Sequence, residues 1–203
     1  MLEARFNSAD YVARAKPLIW YIHGAASTPA SFNWLKERLP LHDAVDVEYD
    51  NYSPLSDTIA YLREAALKET QPINIVGHSL GGVIAASVAQ VAPIRKIVTM
   101  GTPFGGSFAA SLMRWFMPTQ LFRDICQQSP VISSLRANPP STPIKSFVTD
   151  SGLVVLGEAT DGVVTVSSQK ALKGPEYHSV STNHFEVLLN PRVATEISKF
   201  LFK

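Results

Sequence analysis

One cysteine, Cys126, stands in a chain of 203 residues, so no intramolecular disulfide can form. That usage fits a reducing compartment. With no motif around it, Cys126 reads as a small buried hydrophobe. No run of eighteen apolar residues occurs, which leaves nothing to span a membrane as a helix. The first seventeen residues, MLEARFNSADYVARAKP, carry Glu3, Arg5, Asp10 and Arg14 and lack the apolar stretch of a signal peptide. The expectation is a soluble, cytoplasmic protein. Blocks of five or six like charges are missing too, and 18 basic residues against 17 acidic ones leave a formal net charge of +1. That balance argues against charged tails and against a nucleic-acid surface. Neither an internal repeat nor a low-complexity segment is present.

What the chain does have is about 46% hydrophobic residues, enough for one sizeable core, at a length suited to a single domain. Strand-like and helix-like segments alternate, which predicts a parallel sheet covered by helices. Residues 18–22 (LIWYI), 44–49, 73–76, 94–100 and 144–149 read as strands, the first as a buried one. Residues 31–39 and 56–70 read as helices, with Ser56 as N-cap of the second. Residues 82–92 are small and apolar all round, as in a helix buried against a sheet. Residues 191–202 form an amphipathic helix with Val193, Ile197 and Phe200 inward and Pro191 in its first turn. Residues 102–143 break the alternation. They hold an aromatic-rich, helix-like run at 108–122 and end in a proline-rich stretch, which together predict a small helical cap inserted at about 104–143.

The sharpest signal is Gly77-His78-Ser79-Leu80-Gly81, a G-x-S-x-G motif directly between a predicted strand and a predicted helix. A serine in so tight a turn is held in a strained backbone conformation, and side chains on either side would collide, hence the glycines. The turn lifts the hydroxyl clear of the sheet and sets it at a helix N-terminus, where backbone N–H groups are free. A hydroxyl is a weak nucleophile at neutral pH, so it needs a base within hydrogen-bond reach and an acid to orient that base.

Where this motif is catalytic, the chain order is nucleophile, acid, histidine. The base must then be late. Of five histidines, His184 lies in the polar loop Ser181-Thr182-Asn183-His184-Phe185 before the final helix; His178 is the alternative and reads better as part of a short strand. His78, adjacent to Ser79, points to the other side of the turn. For the acid, Asp161 in Thr160-Asp161-Gly162 follows a hydrophobic segment at 152–156 read as a strand, and Asp-Gly marks a turn. Asp150, at the end of the strand 144–149, and then Glu158 are the alternatives. Acyl transfer builds negative charge on a carbonyl oxygen, and backbone N–H groups aimed at it stabilise that charge. The candidates are the N–H of Leu80, after the nucleophile, and that of Ala25, in the loop His23-Gly24-Ala25-Ala26-Ser27. His23 is expected to hold that loop by hydrogen bonding.

Taken in order, Ile22-His23-Gly24, Gly77-His78-Ser79-Leu80-Gly81-Gly82, Gly101-Thr102-Pro103-Phe104-Gly105-Gly106-Ser107, Asp161-Gly162-Val163-Val164 and Asn183-His184 resemble the lipase and esterase branch of the α/β-hydrolases. The likeness runs over residues 18–202. Phe104 stands where that branch often has histidine in a G-T-P-H-x-G-S motif. The resemblance implies an α/β-hydrolase fold, with a mostly parallel central sheet of about six or seven strands flanked by helices. It implies a Ser79-His184-Asp161 triad that hydrolyses carboxylic esters through an acyl-enzyme, without a cofactor. Some relatives carry structural calcium, but no cluster of carboxylates announces one here, so no metal is expected. Phe104, Phe108, Leu112, Trp115 and Phe116 are the candidate substrate-binding residues. They favour a lipophilic acyl ester as the small-molecule partner, with weak lipid or micelle contact through the cap. The same triad would serve a thioesterase acting on acyl carriers or lipidated proteins, and sequence does not separate the two. A non-catalytic module on the same fold would be expected to have lost a triad member.

Overall fold

The structure is a computed structural model and describes residues 16–50, 53–106, 124, 126, 128–152, 154 and 157–203. Six strands form one sheet: β1 (Leu18–Ile22), β2 (Asp43–Val47), β3 (Ile73–His78), β4 (Ile94–Met100), β5 (Ile144–Thr149) and β6 (Glu176–Val180). Their order is β2-β1-β3-β4-β5-β6, and every pairing is parallel. From β1 the chain steps to one edge with β2, then returns past β1 and builds outward from β3. The reversal makes a switch point between β1 and β3, where the loops leaving the two strands part and open a crevice at their carboxyl ends.

Both faces of the sheet are covered, so β1 and β3 are buried along their whole length, and polar residues inside the sheet such as Asn74 and Thr99 are buried with them. All five residues of β1 are buried. The pleat sends Leu18, Trp20 and Ile22 to one core and Ile19 and Tyr21 to the other. The first core is closed by α2 (Leu55–Lys68), α3 (Leu80–Val88) and α4 (Pro130–Ala137), with α1 (Asn33–Lys36) on the opposite face. That opposite face is completed by the 3₁₀ turn Glu186–Leu189 and by α6 (Pro191–Phe202), beyond the short α5 (Val166–Gln169). In α3 all nine residues are buried, as its small, apolar composition requires. In α6, Val193, Ala194, Ile197 and Leu201 are buried, which is the helical stripe expected of a single packed face.

Several local expectations change. Residues 31–39 fold as a 3₁₀ turn, Pro29–Phe32, running into the single turn of α1. Pro29 presets the φ of that first turn. Ser56 is not the N-cap of α2. The helix begins at Leu55, with Pro54 in the cap position and no side-chain cap; the Leu55 N–H donates instead to Asp124 at 2.8 Å. Helix α4 lies inside the expected cap and is capped by Ser129, whose hydroxyl accepts from the Ile132 N–H at 3.1 Å. The expected strand at 152–156 is not among the elements; Gly152 and Val154 lie outside any strand, and 153, 155 and 156 are outside the described residues. The candidate pocket residues Phe108, Leu112, Trp115 and Phe116 also lie outside the described residues. No helix among the described residues is long and apolar enough to cross a membrane.

Replacing Ile197, which is fully buried, with alanine is expected to cost about 2–5 kcal/mol in urea unfolding. The control Leu41→Ala, at a side chain 74% exposed, should stay within about 0.5 kcal/mol.

Candidate active site

Strand β3 ends at His78, and Ser79 turns directly into α3 with φ 51° and ψ −121°. For a serine that is a sparsely populated conformation, held by its surroundings. The Ser79 N–H donates to the Met100 carbonyl at 2.8 Å, and its own carbonyl accepts from Gly82 at 3.0 Å. The turn also needs space that only glycine leaves: a Cβ at Gly81 would sit 1.9 Å from the Ile22 carbonyl oxygen of β1. Ser79 itself is partly buried, whereas the residues on both sides of it are fully buried.

Asp161 and His184 meet at the same edge of the sheet. The imidazole Nδ1–H donates to Asp161 Oδ2 at 2.7 Å, and the His184 N–H donates to the Asp161 carbonyl at 3.0 Å. Both residues are buried, at 1% and 3% exposure. Asp161 is held as an acceptor on every side. Oδ1 takes the N–H groups of Val163 and Val164 at 2.9 and 2.8 Å, an aspartate turn closing on itself. Oδ2 also takes the Thr149 hydroxyl at 2.5 Å and, more weakly, the Gln169 amide at 3.4 Å. Burial works against a charged carboxylate. The bonds and charge of His184, with Thr149 and Val164, outweigh it and hold the Asp161 carboxyl below the usual range. An ionised Asp161 on Nδ1 fixes the imidazole tautomer and leaves Nε2 as the nitrogen free to accept a proton.

The alternatives are placed elsewhere. Asp150 is partly exposed at the end of β5, while its neighbour Thr149 serves Asp161. Glu158 accepts from the Ser167 N–H. His178 lies on β6 and bonds Glu176 on its own strand at 2.7 Å.

The turn that carries Ser79 is linked to this pair by two routes. Met100, its hydrogen-bond partner, precedes Gly101, where a Cβ would lie 3.0 Å from His184 Nδ1 and 3.3 Å from Asp161 Oδ2. Gly101, at φ +57°, is therefore bare because the pair fills the space above it. The second route runs through His78. Its Nε2–H donates to the His184 carbonyl at 2.8 Å across 106 residues, and the two rings stand 4.9 Å apart. Sequence reasoning turned His78 away from the site; it is instead the tether between the serine turn and the histidine loop. Only an aromatic ring with a donor, next to the motif serine, signalled it. Thr149 and Gln169 were also missed, since nothing local marks a residue that serves an aspartate 12 or 8 positions away.

On the other side of Ser79 lies the loop after β1. A Cβ at Gly24 would lie 3.0 Å from Ser79 Cβ, and Ala26 sits at positive φ. His23 anchors this loop as expected: Nδ1–H donates to the Gly24 carbonyl at 2.8 Å, and its ring stacks on Tyr49 at 4.4 Å. Ala25, in that loop, is partly buried, and Leu80 opens α3 with its side chain in the core. Phe104 is a correction. Expected on a pocket wall, it has no exposed surface and belongs to the core beneath α3 and α4. Its ring packs among the buried residues of that core. Among the described residues, no group of three or more His, Cys, Asp or Glu could hold a metal ion.

A family model described as alpha/beta hydrolase fold matches residues 26–130. No curated protein matches the sequence. Solved structures do match in fold. Lipase BlEst2 of Bacillus licheniformis in its mature form superposes with a TM-score of 0.69 at 18% identity, covering 97% of this chain and 96% of that one. A lipase-esterase related protein from Clostridium acetobutylicum gives 0.64 at 15% identity, over 92% and 95% of the two chains. A metagenomic carboxyl esterase gives 0.68 at 15% identity, over 94% and 76%.

The burial of His78 makes the fold sensitive to acid. Burial first, then the neighbouring His184 charge, push its pKa down to about 4 from an ordinary 6.5, and its Nδ1 has no protein acceptor for a second proton. Between pH 6.5 and 4 the unfolded chain binds that proton and the folded one does not, so stability falls as the pH falls. His78→Phe should remove about 2–3 kcal/mol of the loss between pH 7 and 4.5, measured by urea unfolding at both pH values.

Proposed function

The chain belongs to the alpha/beta hydrolase fold family, and from that premise we propose that it is a serine hydrolase that cleaves carboxylic esters through an acyl-enzyme. The observation that carries this reading is the buried 2.7 Å Asp161–His184 pair, tied through His78 and Gly101 to a serine at φ 51° on a strand-to-helix turn. Ser79 is the nucleophile, His184 the base and Asp161 the acid that orients it.

The steps follow from that assignment. His184 Nε2 takes the Ser79 hydroxyl proton as Oγ bonds to the ester carbonyl carbon. Charge gathers on the carbonyl oxygen, where the N–H groups of Leu80 and Ala25 would receive it; one such donor is worth roughly 3–4 kcal/mol. The Leu80 N–H is suited to this because it opens a helix and has no intrahelical partner. Asp161 stays ionised and stabilises the imidazolium. The C–O bond to the alcohol then breaks, with the proton passing from His184 to the departing oxygen, and water repeats the sequence to release the acid.

The names of the structural neighbours, lipase and carboxyl esterase, support esters as the substrate class. The aromatic-rich run at 108–122 supports a lipophilic acyl group.

A fluorophosphonate probe should label the wild type and not Ser79→Ala. Ser79→Ala and His184→Ala should each lower kcat on a short-chain ester by orders of magnitude, and the double variant little further, because the triad acts as a unit. Asp161→Asn should lower kcat by about 10⁴ by releasing the wrong imidazole tautomer. Losses that simply add, or labelling that survives in Ser79→Ala, would remove the assignment.

A further inference from the structure

Phe185 follows His184 and is 65% exposed. Its exposure does not come from a loose backbone. The N–H groups of Phe185 and Glu186 both donate to Asn183 Oδ1, at 3.0 and 2.9 Å. The 3₁₀ turn that follows buries Val187 and Leu188 in the core. Between these two anchors the ring stands edge-on to the His184 imidazole, with centroids 5.2 Å apart and planes at 90°. The His78 ring lies 6.2 Å away. A rigidly held phenylalanine left in water forgoes the gain from burying its surface. Here it does so against the one imidazole that the hydrolytic mechanism uses.

The inference rests on that mechanism. When the tetrahedral intermediate collapses, the imidazole returns its proton to the departing alcohol oxygen, which must then lie about 3 Å from Nε2. The carbons attached to that oxygen extend into the space beside the imidazole. The acyl half, by contrast, leaves the carbonyl carbon on a path that the proton does not follow. A fixed apolar surface against the imidazole therefore meets the alcohol half of the substrate.

We propose that Phe185 is a specificity-determining residue that packs against the alcohol half of the ester and selects apolar alcohols, aliphatic or aromatic. An aromatic alcohol gains further, because the ring can meet it edge-on or offset-stacked. The acyl group is chosen elsewhere, so the two halves of the substrate are read by separate surfaces.

The experiment uses the full chain and two ester series followed by pH-stat. One series holds butyrate constant and varies the alcohol as methyl, butyl and benzyl. The other holds the methyl alcohol constant and varies the acid as acetate, butyrate and octanoate. Wild type should prefer butyl and benzyl to methyl butyrate. Phe185→Ala should lower the benzyl-to-methyl ratio of kcat/KM about tenfold, and Phe185→Leu should keep most of the butyl preference. The spacing within the acid series should not move. Fluorophosphonate labelling of each variant checks that the serine turn is intact. An unmoved alcohol ratio, an equal loss across both series, or a change confined to the acid series would each overturn the proposal while leaving ester hydrolysis standing. A wild type that turns over neither series and takes up no probe would remove the hydrolytic reading, and this proposal with it.

Discussion

The hydrogen bond from His184 Nδ1 to Asp161 Oδ2 makes demands on much of the surrounding structure. A carboxylate buried to 1% exposure stays charged only if its lone pairs are met. Meeting them takes the aspartate turn through Val164, the hydroxyl at the end of β5 and the amide on α5. Gln169 is itself locked, since its oxygen accepts the Thr149 N–H and its amide donates to the Thr149 carbonyl, both at 2.8 Å. One charged group thus organises β5, α5 and the turn at 161–164 around itself.

A second constraint is the pairing of two imidazoles whose centroids are 4.9 Å apart. Two positive rings at that distance would repel in a poorly solvated site. Burial keeps His78 neutral, and its one N–H is spent on the His184 carbonyl. On the proposed mechanism, that neutrality leaves the positive charge to His184 alone when it accepts the serine proton. The same bond ties the loop after β6 to the residue beside Ser79, so two segments 106 positions apart are held in register.

The sheet order explains why these parts share one edge. All six strands run the same way, so their carboxyl ends lie together, and the reversal after β2 opens the crevice between β1 and β3. The His23 loop leaves β1 and the serine turn leaves β3 at that point. The 3₁₀ turn after His184 completes the edge: its inward residues fasten it to the core, and the backbone so fixed keeps Phe185 outward.

Local chemistry alone determined a good part of this protein. Residues 18–22 were legible residue for residue as a continuous apolar run, 94–100 and 144–149 as short segments rich in β-branched and apolar residues, and the 191–202 helix from its apolar stripe. The strained serine turn was legible because glycine on each side of Ser79 has a steric reason that sequence displays. Asp161 and His184 were legible only through chain order, which left Asp150 open. Tertiary structure put Asp161 and not Asp150 on His184, because that pairing depends on which carboxylate the fold surrounds with donors. It also fixed the partners of His78, Thr149 and Gln169, left Phe185 exposed beside His184, and moved Phe104 into the core. A side chain's direction and partners come from elements far away in the chain, and periodicity along one segment carries no record of them.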